Sequence, residues 1–523
     1  MASLIFAHAC VAASSSDRDG GRIVFGTIGE ASNLIPYLST DSASHEIADL
    51  IFVAPLRYNK NLEPEPWAAE SWEMSADGKR LRFTLHKGIL WEDGQELTTA
   101  DVEYTWKVVT DPATASPYAE DFSRVKSLKI IDRYTFEAEY EEFFARAVAS
   151  WMSPILPRHI LADQNIRDTP FSRNPVGAGP YRLKSWDPGS RIVLEASQTY
   201  FAGRPHISEV VYRIIPDDAT MFMETRSLRL DVMNLNPLQY LRQTDTPFWK
   251  EHFHKYRYLA SVYIFLGFNL EHPFFADIRV RRAISLAIDR QALVDGVLLG
   301  QGVAAFGPYK PGSWVYHPTL KPIKQDMQKA AALLKEAGFS RDRNGFLEKD
   351  NRRLTFSILT NQGNEQRILT ATLIQSQLAL LGIDVQIRTM EWAAFIREFV
   401  HKGRFDAIIL GWTITQDPDI FQIWHSSQAH DGGLNMIRYR NPEVDRILEE
   451  ARSMADKNKR QALYWRLQEI LDADQPYCFL FVPYALPVVQ SRFRGIEPAL
   501  AGIMYNFEDW YIPKEARQQQ ALQ

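Results

Sequence analysis

At 523 residues, with 24% charged and 46% hydrophobic residues, the chain has the composition of an ordinary soluble globular protein too long for one core, so two or three domains are expected. A net charge of -5 carries no basic excess and argues against nucleic acid and anionic membrane surfaces as partners. The 13 Trp, 21 Tyr and 29 Phe suit aromatic walls around an organic ligand, and equally a large, well-filled core.

The chain opens on Leu4-Ile5-Phe6-Ala7-His8-Ala9-Cys10, which reads as the tail of an export signal, with small residues before a cysteine as at a lipoprotein or an Ala-x-Ala cleavage site. The run is too short to span a bilayer and no Lys or Arg precedes it, which leaves open a true start upstream of Met1. Cys478, in Pro476-Tyr477-Cys478-Phe479-Leu480-Phe481, is too distant to read as a structural partner of Cys10 and is expected to be a buried small hydrophobe. No other stretch approaches about 18 consecutive apolar residues, so nothing indicates an integral membrane protein. Ser14 to Gly21 is polar and Gly-containing and reads as a flexible tether, with order beginning at a strand over Arg22 to Gly26.

Alternating strands follow at Arg80 to Leu85 and Thr135 to Tyr140. Between them, Thr98-Thr99-Ala100-Asp101 is a capping box that starts a helix through about Val109. A second mixed segment opens at the turn Asn174 to Tyr181 and continues through strands Arg191 to Glu195 and Val210 to Ile215. From residue 276 the rhythm becomes helical. Asp326 caps a helix with Met327, Ala330, Ala331 and Leu334 on one face, closed by Gly338. A strand face of Leu354, Phe356 and Ile358, a helix Ile368 to Leu381, a strand Ile383 to Ile387 and a helix Trp392 to His401 then lead to a strand over Phe405 to Leu410. This βαβ succession predicts a mostly parallel sheet.

The last strand runs into Gly411-Trp412-Thr413-Ile414-Thr415-Gln416-Asp417-Pro418-Asp419. Strand ends of α/β domains are where ligands sit, and an indole beside carboxylates supplies an apolar wall with a counter-charge. Residue types alone equally allow Trp412 in the core and Asp417 and Asp419 as caps of a helix starting near Ile420.

Several ordered motifs resemble the extracytoplasmic solute-binding proteins of family 5, which include oligopeptide- and dipeptide-binding components of ABC importers. They are Trp91-Glu92-Asp93-Gly94 with Leu97-Thr98-Thr99-Ala100-Asp101-Val102, Gly177-Ala178-Gly179-Pro180-Tyr181, Phe268-Asn269 leading to Asp277 to Ile284, Leu333 to Phe339, Gly411-Trp412 with Asp417-Pro418-Asp419, and Tyr439 to Asp445. The resemblance covers roughly residues 22 to 513. It implies an α/β periplasmic-binding-protein-like fold (type II, cluster C), with two lobes joined by a hinge and an extra inserted domain. Residues 1–21 would be export signal and tether. Domain I would be discontinuous (22–58, 172–275 and 487–513), domain II the insertion 59–171, domain III 276–486, and 514–523 a tail. Chain crossings near Gly267-Phe268-Asn269 and Val482-Pro483-Tyr484 would form the hinge.

The same resemblance implies a monomeric receptor that encloses a peptide-like solute and presents it to a membrane permease. It would be periplasmic or extracytoplasmic, held to the membrane through the permease or a lipidated Cys10, with no cofactor or metal. In peptide-binding members an aspartate a few residues after Gly-Trp holds the ligand ammonium. Here Thr415 stands three residues after Trp412, and Asp417 or Asp419 is the nearest carboxylate, so an oligosaccharide receptor of the same fold is the alternative. Thr413, Asn33 in the first loop, Tyr263 before the hinge and Trp392 are further candidate contacts, and Arg388 or Arg438 could receive a carboxylate; turn or core roles compete at each. A secreted hydrolase is the weaker reading. Trp91-Glu92-Asp93 has the residue types of a glycosidase cleft, but adjacent carboxylates diverge, and no nucleophile elbow, phosphate-binding glycine loop or His-Glu-x-x-His helix is present.

Overall fold

Two large mixed sheets divide the chain, as seen in a computed structural model that describes residues 15–521. The leader and Cys10 lie outside the described residues. In the first sheet the strand order is Phe253–Lys255, Pro487–Gln490, Val232–Asn234, Arg22–Thr27, Glu209–Ile214, Arg191–Ala196 and Tyr181–Asp187. Ile23, Val24 and Phe25 are all buried, so Arg22–Thr27 is a continuous apolar strand covered on both faces, parallel to both of its neighbours. A separate four-stranded antiparallel sheet carries the alternating patterns. Leu81, Phe83 and Leu85 are buried while Arg80 and Arg82 face out, and the helix Thr99–Thr110 packs alongside it. That helix starts on the expected capping box, Thr98 N donating to Asp101 Oδ2 at 2.8 Å.

The second large sheet runs Tyr258–Leu259, Tyr477–Ala485, Val262–Phe268, Ala407–Thr413, Thr355–Asn361 and Asp384–Met390, with Gly302–Ala304 added beside Tyr477–Ala485. It is mixed rather than mostly parallel. Thr355–Asn361 is parallel to both Asp384–Met390 and Ala407–Thr413, as the helical connections require, and every other pairing is antiparallel. The cause lies in Val262–Phe268 and Tyr477–Ala485, which are not links of the βαβ series. They sit where the chain passes between the two sheets: Phe253–Lys255 precedes the former in the first sheet and Pro487–Gln490 follows the latter there.

Local boundaries moved for local reasons. The helix expected from Ile368 begins at Glu365, because the Asn364 side chain accepts the Arg367 N–H and caps it. The Asp326-capped helix Met327–Glu336 buries Ala330 and Leu334 but leaves Ala331 exposed. Trp392 to Val400 is a single α-turn followed by a π-turn. The strand expected to end at Leu410 continues through Thr413, since Gly411, Trp412 and Thr413 stay paired with Ile264, Tyr263 and Val262. At Asp19 and Gly20 the expected tether is docked: Gly20 N donates to His206 O at 2.7 Å, and Asp19 Oδ1 lies 2.7 Å from His206 Nδ1. Cys478 is buried and free, as its apolar neighbours suggested.

Two of the sequence motifs meet in space. Glu92 N donates to Gly177 O at 3.0 Å, and Gly179 N donates to Ile51 O at 2.8 Å. Ile51 ends the helix Ser42–Ile51, which faces the other lobe. A Cβ on Gly177 would overlap the Ile51 carbonyl oxygen, so glycine is required there by close backbone approach. Gly177→Ala is expected to lower stability by ~1–3 kcal/mol, read as a lower denaturation midpoint. An unchanged midpoint would show that the Ile51 carbonyl can give way.

Candidate functional site

A cavity of about 640 Å³ lies between the two sheets' halves of the molecule, walled on one side by residues 40–49 with Tyr118, Arg146 and Ser153 and on the other by strands and loops between 262 and 436. That volume is in the range of sites for small organic ligands. The second sheet supplies its floor. Trp412 and Tyr263 are register partners on adjacent antiparallel strands. Trp412 is half-buried, its Nε1 donating to Tyr477 Oη at 3.1 Å, so the hydrogen bond fixes the indole while part of the ring faces the cavity. Tyr263 is only 1% exposed and lines the same cavity, yet its Oη has no partner among the described residues. Burial pushes its phenol well above the ordinary tyrosine value, so it stays a neutral donor.

Beyond the strand the carboxylates turn inward. Thr415 Oγ1 donates to Asp417 O at 2.6 Å, and Asp417 Oδ1 accepts the Asp419 N–H at 2.9 Å. Asp419 Oδ1 accepts the Phe421 N–H at 2.9 Å, at the start of the short helix Phe421–Trp424. Both acids are also paired with arginine. Arg460 grips Asp417 with two guanidinium nitrogens, at 2.8 and 3.0 Å, and Arg452 Nε donates to Asp419 Oδ2 at 2.7 Å. Burial alone would raise the Asp419 carboxyl, but the Arg452 and Arg146 guanidiniums outweigh it and hold it below the ordinary value. Arg452 also reaches across the cleft to Asp121 at 2.9 Å and Glu120 at 3.2 Å, while Arg146 holds the other oxygen of Asp121 at 3.0 Å.

The opposite wall is the helix Ser42–Ile51. Ile47, Ala48 and Ile51 face its own core, so His45, Glu46 and Asp49 fall on the cleft side. Asp41 caps the helix through the Ser44 N–H, and Thr40 Oγ1 meets His401 Nε2 of the other lobe at 2.6 Å. Glu46 and Asp49 are open to the cleft, and neither has a hydrogen bond or ion pair among the described residues. Protein surrounds them nonetheless. Glu46 is pushed up to about 7, first by that enclosure and then by the charges of Asp49 and Asp41; Asp49 is raised by enclosure against the opposing pull of His45. A third uncompensated charge is Arg367. Its Nη1 donates to Asn361 Oδ1 at 2.8 Å, the Trp392 ring lies 5.7 Å away, no carboxylate among the described residues pairs with it, and burial lowers it to about 10.

Of the residues singled out from sequence, Trp412, Thr413, Thr415, Asp417, Asp419, Tyr263 and Trp392 all line this cavity. Trp392 also packs so tightly over Gly29 of the opposite lobe that a Cβ there would overlap its ring. Asn33 does not line it; its Oδ1 accepts the Ile35 N–H at 2.7 Å, the turn-forming role that competed in the sequence. Arg438 and Arg388 are also absent from the wall. Arg438 is buried and pairs with Asp431 at 2.5 Å, and Arg388 is exposed elsewhere. Glu46, Asp49 and Arg367 escaped sequence reading because a polar helix face ordinarily means solvent, and nothing local marks a face that a distant lobe covers.

A ligand cavity enclosed between two sheet-centred lobes, crossed by two chain connections, defines a two-lobed solute-binding protein. The chain belongs to the bacterial extracellular solute-binding proteins, family 5, whose model matches residues 63–433. It is 31% identical over 536 residues to the oligopeptide-binding protein AppA of Bacillus subtilis, covering 98% of this chain and 97% of that one. The structure of that protein in complex with a nonapeptide superposes with a TM-score of 0.90 at 30% identity, over 95% of this chain and 99% of that chain. The DppA protein of Helicobacter pylori, solved with the peptide STSA, gives a TM-score of 0.85 at 26% identity, over 95% and 99% of the two chains. These relatives are binding proteins.

Because Glu46 holds its proton to higher pH in the folded protein than an ordinary carboxyl does, its folded pKa lies above its unfolded one. Its contribution to stability is therefore present at low pH and is lost as pH rises from about 4.5 to about 7. Ligand-free Glu46→Gln is expected to melt above the wild type at pH 8, with the gap narrowing at pH 5. A melting difference independent of pH would show that Glu46 is not so enclosed.

Proposed function

We propose that the protein is the substrate-binding receptor of an ABC importer, capturing a peptide-like solute between its lobes and delivering it to the membrane permease. The observation that carries this is the enclosed cavity between the lobes of a family 5 fold, walled by Trp412, Tyr263 and Trp392 and holding three charged side chains, Glu46, Asp49 and Arg367, that have no counter-ion among the described residues. A peptide offers its backbone amides to main-chain groups such as those of Thr413 and Thr415, so much of its affinity is independent of sequence. The cavity's aromatic walls take its side chains, and Arg367 suits a ligand carboxylate. A neutral oligosaccharide would leave all three charges unpaired, which weighs against the sugar alternative.

In this reading residues 22–58, 172–257 and 487–513 form one domain, 59–171 an insertion, and 258–486 the second lobe, with closure about the connections between Lys255 and Tyr258 and between Ala485 and Pro487. The boundary at 275 and the hinge near 267–269 expected from the sequence do not hold, because Tyr258–Leu259 and Val262–Phe268 are strands of the second sheet. Asp417 and Asp419 act through Arg460 and Arg452 as the frame of the Trp412 loop. The receptor works as an extracytoplasmic monomer without cofactor or catalysis, reaching the membrane through the permease or a lipidated Cys10.

Denaturing the purified protein and identifying released cargo by mass spectrometry tests the reading: peptides are expected, and sugars alone would overturn it. Trp412→Ala is expected to weaken binding of that cargo by at least about tenfold, roughly 1.4 kcal/mol, with the melting profile preserved. Unchanged affinity by calorimetry would assign the indole to packing only.

A further inference from the structure

We propose that Glu46 and Asp49, on the cleft face of the helix Ser42–Ile51, form the subsite that holds a cationic group of the bound ligand. The assignment rests on the proposed role as a receptor for a peptide-like solute, and it adds the ligand's charge to that role.

The two carboxylates stand three positions apart on one helix face, so they are neighbours in space and repel each other. Among the described residues no hydrogen bond or ion pair compensates them, and His45 only pulls on Asp49 from a distance. Asp41 is itself an acid, held by Ser32 and Ser44. His45 turns its Nε2 to Ser39 O and Tyr118 Oη, each at 3.1 Å. His401 is occupied by Thr40 and is lowered by burial, against the pull of Asp41, which favours its neutral form. Arg146 pairs with Asp121. The helix therefore presents uncompensated negative charge to an enclosed space, an arrangement that a ligand cation relieves.

A second observation points to a ligand in the same cavity. Tyr263 is 1% exposed, and its hydroxyl is left without a hydrogen-bond partner among the described residues where it lines the cavity. A buried hydroxyl left unsatisfied costs about 1–3 kcal/mol, so such a group marks where a bound polar atom belongs. The indole of Trp412, its register partner, adds an aromatic face beside a cation's path. The acids that follow Gly411-Trp412 are by contrast already neutralised, Asp417 by Arg460 and Asp419 by Arg452.

The cation could be a peptide's terminal ammonium or a basic side chain, and calorimetry on ligand-free protein separates them. The probes are Ala-Ala-Ala-Ala, its N-acetyl form, Ala-Lys-Ala-Ala, and the same peptide with norleucine for lysine. Wild type is expected to bind at least one cationic member about tenfold or more tighter than its uncharged counterpart. A loss on acetylation assigns the terminus, and a loss on norleucine replacement assigns the side chain. Glu46→Gln/Asp49→Asn is expected to abolish the difference, whereas Asp49→Glu, which keeps the charge, retains it; all should melt cooperatively. Discrimination retained by the double variant, or absent from the wild type, overturns the subsite. Cargo from the cell keeps the two ideas apart. A cationic non-peptide carried by the wild type and lost from the double variant overturns the peptide reading alone. Peptides carried equally by both proteins overturn the subsite alone, and absence of any cargo together with no binding of any probe overturns both.

Discussion

The guanidinium of Arg452 is the charge around which the cleft is organised. Its side chain is 1% exposed, sits 3.9 Å over the Phe421 ring, and pairs with Asp419 of its own lobe and with Asp121 and Glu120 of the other. The Arg452 carbonyl also accepts the Ala145 N–H at 2.7 Å across the same junction. A buried cation with partners on both sides resists separation, because removing one partner leaves an uncompensated charge worth about 3–5 kcal/mol. With Arg460 on Asp417, it fixes the loop after Trp412, so the indole and Tyr263 are held as one wall of the cavity rather than left to sway. Buried pairs of this kind favour one geometry over its neighbours more than they add net stability.

That arrangement decides where ligand charge can go. Carboxylates already satisfied by protein arginines offer little to an incoming ammonium, since displacing a bidentate guanidinium must be repaid in full by the ligand. The unpaired acids lie on the facing helix, whose end is tied by Gly179 to the glycine turn at 177–179. The turn of the Gly177 motif and the Trp91 motif bonded to it are thus structural; they set the helix that bears Glu46 and Asp49 and line none of the cavity themselves. Arg367, with Trp392 beside it, gives the cavity a second pole of opposite sign.

How much of this was legible in the sequence follows the range of each interaction. The Thr98 capping box and the Asp326-capped helix were readable because their partners lie within one turn. The alternation of Arg80 to Leu85 was readable because one face of its sheet is buried. Trp412 was placed at a strand end by the apolar run before it, though the strand's extra residues depend on pairing with Val262–Phe268, more than 140 positions away. The helix–strand succession correctly orders Thr355–Asn361, Asp384–Met390 and Ala407–Thr413, but it carries no information about the two connecting strands that make the sheet mixed. Pairing of Asp417 with Arg460 and of Asp419 with Arg452 spans 43 and 33 residues, and no residue type announces it. Asn33 and Arg438 show the converse, polar residues whose local turn and ion pair satisfied them away from the cavity.

The most direct test is a crystal structure of the protein with the cargo it carries from the cell. The account predicts Asp417 still on Arg460 and Asp419 still on Arg452, with a ligand nitrogen within hydrogen-bonding distance of Glu46 or Asp49 and a polar ligand atom on Tyr263 Oη. A ligand ammonium seated on Asp417 or Asp419 with its arginine displaced, and Glu46 and Asp49 left facing water, would contradict it.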